Sequence, residues 1–154
     1  MNKVDKLMES LDLAIDESDK PILIEGMSGI GVVSSVQNNY NTVSCTLAYD
    51  FFGKSIERKF GMPDWYKELY ELCKENQDKK CLALFEGFGL ASRDVLLNFL
   101  DEVVVNQNSM FPLPENAKLV CYSDKMNLIP SEYLKYFTVV GTHDKSAVDE
   151  GFHK

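Results

Sequence analysis

The run CLALFEGF, Cys81 to Phe88, constrains the fold more than any other stretch. A strand with one wet face alternates apolar and polar residues. A nearly continuous apolar run is instead the mark of a central parallel strand, buried on both faces. KLVCYS, Lys118 to Ser123, is a second run of this kind, and PILI, Pro21 to Ile24, a shorter third. Thr42–Leu47 and Phe137–Val140 complete a set of five expected strands. Between them lie segments of helical period. Val4, Leu7, Met8, Leu11 and Ala14 or Ile15 recur at three- and four-residue steps and predict a helix over 3–17. A second helix is expected over 32–38, against the β-branching of Val32, Val33 and Val36. Pro63 and Asp64 open PDWYKELYELCKEN, striped by Trp65, Leu69 and Leu72 or Cys73. Ser92 caps SRDVLLNFLDEVV, NQNSMFPLPENA reads as a turn or hairpin, and Pro130–Tyr136 as a short helix. Strands and helices thus alternate about five times. That predicts an α/β three-layer sandwich with a five-stranded, mainly parallel sheet. Residues 1–141 form one domain on this reading, and 142–154 a polar C-terminal tail.

Composition narrows the functions such a domain can have. The net charge is −8 and the lysines are scattered, whereas nucleic-acid affinity comes mostly from clustered cations on phosphates. No nucleic-acid partner is expected. No apolar run nears the ~20 residues that span a bilayer, and the charged N-terminus reads as an amphipathic helix rather than a secretion signal. No membrane association is expected, and the cytoplasm is the expected compartment. Cys45, Cys73, Cys81 and Cys121 form no CxxC pair, and His143 and His153 lie in the tail. Zinc spacing is missing, and buried reduced thiols are expected.

The stretch EGMSGIGVVSS, Glu25 to Ser35, follows the first apolar run. Gly26, Gly29 and Gly31 have the spacing of a phosphate-binding loop, which should continue with Lys and then Ser or Thr. Val32 and Val33 stand there instead.

Taken in order, four stretches resemble the AAA+ ATPases, and within them the MoxR-like branch. PILIEGMSGIG looks like the Walker A strand and loop. FFGKSIERKFGMPDWYKEL looks like the segment that leads to a Trp-bearing helix. CLALFEGFGLASRDVLLNFLDEV looks like the Walker B strand and the leucine-bearing helix after it. FPLPENAKLVCYSD looks like the hairpin, Leu-Pro turn and sensor 1 strand. The resemblance runs from about Lys3 to Val140 and stops before the helical lid. It implies strand order 5-1-4-3-2 and a phosphate site at the carboxyl ends of the strands.

It also implies which groups are changed. Val32 takes the place of the Walker A Lys and Val33 that of the Mg²⁺-holding hydroxyl. Glu86 takes the place of the Walker B Asp, and Gly87 that of the Glu that activates water. Asp124 stands for the sensor 1 Asn and Tyr136 for an arginine; Arg58 and Arg93 match no arginine finger. The loss of a base costs on the order of 10²–10⁴ in rate and of an arginine finger 10³–10⁵. The expected protein is therefore a degenerate AAA+ core without ATP hydrolysis. It acts as a binding or scaffolding module through a protein partner or self-association. The alternative is a nucleotide-binding subunit completed in trans by a partner. The expected site comprises Gly26, Gly29, Ile30, Gly31, Val32, Val33, Glu86 and Asp124. No catalytic residue, metal or cofactor is expected; any residual binding of ATP or ADP with Mg²⁺ would be at low affinity. The aromatic residues of 49–66, Phe51, Phe52, Phe60, Trp65 and Tyr66, are read either as cover for the sheet edge or as a partner-binding patch.

Overall fold

A computed structural model describes residues 3–26, 31–47, 64–106, 112–125 and 127–141. The five strands are β1 (Ile22–Glu25), β2 (Asn41–Thr46), β3 (Cys81–Glu86), β4 (Ala117–Ser123) and β5 (Thr138–Gly141). All pair in parallel, in the order β2-β3-β4-β1-β5. Read from the other edge, this is the expected 5-1-4-3-2. Leu23 is level with Cys121 and Val139, and Phe85 lies between Cys45 and Cys121.

The strands carry few polar groups because both faces of the sheet are covered. Leu82 and Leu84 of β3 turn to one face, with Ile22, Ile24 and Val120. Helices α1 (Lys3–Glu17) and α2 (Val32–Asn39) close that face. Leu7, Leu11 and Ile15, at successive four-residue steps, are fully buried there. Ala83 and Phe85 turn to the other face, with Leu23, Cys45 and Leu119. It is covered by α3 (Asp64–Glu75), by α4 (Arg93–Phe99) and by the segment that continues α4. Here Trp65 meets Phe85 edge-on at 5.1 Å between centroids, and Phe85 meets Phe99 at 4.8 Å.

Trp65 and Tyr66 are buried. Their rings therefore cover the sheet face rather than stand as an exposed patch; Phe51, Phe52 and Phe60 lie outside the described residues. All four cysteines are buried and free.

Local signals account for the boundaries. The Ser92 side chain accepts a hydrogen bond from Val95 N at 3.2 Å and caps α4 as expected. The helix expected through Val104 changes character midway. Leu100–Val105 is π-helical, and Asn106 N donates to Asp101 O, five residues back, at 3.0 Å. The run Val103–Val105 consists of β-branched residues, which weaken an ordinary α-helix. The Tyr133 hydroxyl also holds Asp101 Oδ1 at 2.7 Å, from the 3₁₀ turn Ser131–Tyr136. Of the expected hairpin, 107–111 lies outside the described residues. Pro112–Asn116 leads as a turn into β4.

Candidate functional site

The expected site lies where β1, β3 and β4 end. Past Glu25 the chain turns at Gly26, whose φ is +89°, and Gly26 N donates to Ser123 O of β4 at 2.9 Å. Gly29 and Ile30 lie outside the described residues. At Gly31 the backbone is left-handed (φ +72°, ψ 36°), and this residue forms the N-cap of α2 without a side-chain cap. Both glycines thus adopt a conformation that an L side chain rarely takes. The first turn of α2 follows directly, with its unpaired N–H groups at the carboxyl end of the sheet.

Val32 does not face that end. It is only 2% exposed, packed in the apolar cluster of α1, Ile24, Leu84 and Val120, and half-buried Val33 lies against the same cluster. Both positions therefore contribute packing.

Glu86 is half-buried at the end of β3, level with Thr46 of β2, and its carbonyl accepts from Leu47 N at 2.9 Å. Gly87 comes next, with φ +81°. A Cβ there would lie 2.8 Å from Thr46 Cγ2. Backbone conformation and close approach both require glycine at this position. Asp124, just past β4, is exposed. Tyr122 senses both carboxylates: its phenol is pushed up by burial, then by Asp124 and Glu86. The described part of the site therefore combines two carboxylates and a tyrosine, with no cation among its expected members.

The sequence reading overlooked Glu25. Its side chain is 9% exposed, and Oε2 accepts from Asn127 N at 3.3 Å. Asn127 is itself left-handed, with φ +67°. This bond ties the loop after β4 to the end of β1. A lone carboxylate closing an apolar strand was the available signal. Buried Ser123 was also missed; its Oγ donates to Lys125 O at 2.7 Å and tightens the same loop. Tyr136 stands apart, half-buried against the opposite face, with Lys135 Nζ 5.3 Å from its ring centre.

Among solved structures, Drosophila ORC bound to poly(dA/dT) DNA and Cdc6 matches with a TM-score of 0.51 and 12% identity, over 99% of this chain and 31% of that one. The P216G mutant of Thermotoga maritima RuvB matches with a TM-score of 0.50 and 13% identity, over 90% of this chain and 45% of that one. The chain spans less than half the length of either. No protein-family model and no curated protein sequence matches it. At such identities the likeness is one of fold: the chain has the AAA+ P-loop NTPase-like α/β architecture, with its parallel sheet in the corresponding order.

Proposed function

We propose that this domain is a degenerate AAA+ core of the MoxR-like kind, which binds or scaffolds a protein partner, or a second copy of itself, and does not hydrolyse ATP. The burial of Val32 carries this reading. Where a phosphate-binding Lys would stand, an apolar side chain fills the core. Gly87 supports it, since the neighbouring Thr46 leaves no room for the side chain of a general base. Glu86 and Asp124 add negative charge where polyphosphate would lie, and among the described residues at the α2 N-terminus only backbone amides favour an anion. These residues do not fit a magnesium nucleotide. A charge-assisted hydrogen bond is worth about 1.5–3 kcal/mol, so the missing Lys alone would weaken binding roughly ten- to a hundredfold.

Melting the protein with MgATP or MgADP, and measuring phosphate release, tests the reading. No rise in Tm at micromolar nucleotide and no release above background are expected. A clear stabilisation, or turnover that Glu86→Ala abolishes, would overturn it. The left-handed Gly26 and Gly31 favour the second reading, a nucleotide-binding subunit completed in trans. In that case nucleotide stabilises the chain only when the partner subunit is present.

The ORC structure contains DNA, but a net charge of −8 argues against such a partner here. No helix among the described residues is long and apolar enough to cross a membrane, which accords with a cytoplasmic site of action.

A further inference from the structure

A cleft of about 290 Å³ opens at the amino ends of the strands, where β1 and β4 begin. Pro21, Val103, Leu113, Ala117 and Leu119 give it apolar walls. Val103 and Leu119 belong to the cluster on the Phe85 face of the sheet, and Leu113 and Ala117 pack against it. Asp19, Lys20 and Lys118 also border the cleft, but both ammonium groups are engaged elsewhere, Lys20 Nζ at Lys135 O and Lys118 Nζ at Ser18 O. The apolar walls therefore decide what enters. The volume is at the low end for ligand pockets, roughly 300–1,000 Å³, and suits one protruding side chain better than a cofactor.

A knob of that kind stands at the opposite pole. Leu90 is 70% exposed, the most exposed large apolar side chain among the described residues. It sits on the turn that leaves β3. Leu90 N and Ala91 N both donate to Gly87 O, at 3.0 and 3.2 Å, and brace that turn. Its neighbour Phe88 is buried in the Phe85-face cluster. Knob and cleft thus belong to one face of the sheet, at opposite ends of the paired strands β3 and β4. A shift along the strands carries Leu90 of one copy to the cleft of another. The two poles also carry unlike fields. Tyr122, at the carboxyl end, senses the negative Asp124 and Glu86. Lys118, at the amino end, senses the positive Lys80 more than the negative Asp19. Head-to-tail contact sets these poles against each other, which favours encounter between copies.

We propose that copies of this chain associate head to tail, with Leu90 of one copy seated between Val103, Leu113 and Leu119 of the next. This rests on the self-association half of the proposed function and gives it a surface. Such a contact is heterologous, so it does not close on itself and grows an open row. It is also small, so each link is weak and forms only at high protein concentration.

Sedimentation equilibrium of the full chain, from micromolar to millimolar protein, tests this. The mean mass should rise with concentration and pass that of a dimer without levelling. Leu90→Asp, at an exposed position, should weaken association by at least about tenfold, the worth of one buried leucine. Leu113→Trp fills the cleft and should do the same. Pro112→Trp, at an exposed position on the cleft wall, takes its place if that variant does not fold. Each variant keeps one good surface. An equal mixture of a knob variant and a cleft variant should therefore form a heterodimer and stop there. The proposal fails if the wild type stays monomeric at millimolar protein, or if its mass levels at the dimer. It fails equally if Leu90→Asp associates undiminished, or if the mixture stays monomeric. None of these readouts involves nucleotide. Failure here leaves a protein partner and the loss of hydrolysis standing, whereas stabilisation by MgATP would overturn that reading and leave this contact intact.

Discussion

At the scale of single residues, Gly31 and Gly87 make a controlled pair. Both are left-handed, but a Cβ at Gly31 would meet nothing within 4 Å, whereas one at Gly87 would press on Thr46. The left-handed conformation costs a side-chain-bearing residue about 1–2 kcal/mol, and overpacking adds typically 1–3 kcal/mol. Gly31→Ala should therefore lower stability by roughly 1–2 kcal/mol, and Gly87→Ala by clearly more, read from urea midpoints at unchanged m. Equal losses would show that Thr46 yields freely. The glycine spacing before α2 was legible because Gly26 and Gly31 need a backbone that only glycine adopts easily, whereas Gly87 was read only as a missing carboxylate. The burial of Val32 was not, because a helix's first turn can show any of its residues to the core, and only the placement of α1 and β1 decides which. Glu25 escaped notice for a related reason: its partner is the backbone of Asn127, and a backbone partner leaves no trace in residue type.

Among the elements, α3 depends on a residue far along the chain. Asn116 Nδ2 donates to Cys73 O at 3.2 Å, and to Asn76 O and Lys79 O at 3.0 Å each. Two N–H groups thus serve three acceptors around the last turn of α3, with one bond shared. Cys73 O also accepts from Asn76 N at 3.2 Å and Asn76 O from Lys79 N at 3.0 Å, so the side chain reinforces a turn that the backbone already closes. Asn116→Ala should cost about 1–2 kcal/mol, since each ordinary hydrogen bond lost is worth about 0.5–1.5 kcal/mol, and should speed amide exchange in the turn that follows Glu75. Unchanged stability would mean that water replaces the side chain without loss. By contrast, Ser92→Ala removes a local cap and should cost about 1 kcal/mol. Ser92 could be recognised from sequence since its capping bond spans three residues. The role of Asn116 could not, as its bonds span 37 to 43 residues. The π-helical turn was hidden for a similar reason: the apolar spacing of Leu96, Phe99, Leu100, Val103 and Val104 suits an ordinary helix equally well.

For the whole molecule, the strand order came from the resemblance to the AAA+ ATPases, while the apolar runs marked which strands are covered on both faces. β3 and β4 are largely apolar, apart from Glu86 and from Lys118 and Ser123 near their ends, and central, while β2 carries Asn41, Thr42 and Ser44 and lies at an edge. The interior also sets the response to alkali. Burial, and then the neighbouring Cys81, push the Cys73 thiol from its ordinary 9.0 up to about 12, and burial raises Cys81 and Cys121 too. The folded state holds these protons more tightly than the unfolded chain. Stability should be level up to about pH 9 and then fall as pH rises toward 12, since the unfolded chain alone gives up its thiol protons in that window. Urea midpoints at a series of pH values would show this, with a shallower fall in Cys73→Ala. An equal slope in that variant would sink the assignment. The contact between Gly87 and Thr46 also limits what this position can become. A carboxylate-bearing side chain could not enter position 87 by one substitution alone, because Thr46 of β2 would first have to give way.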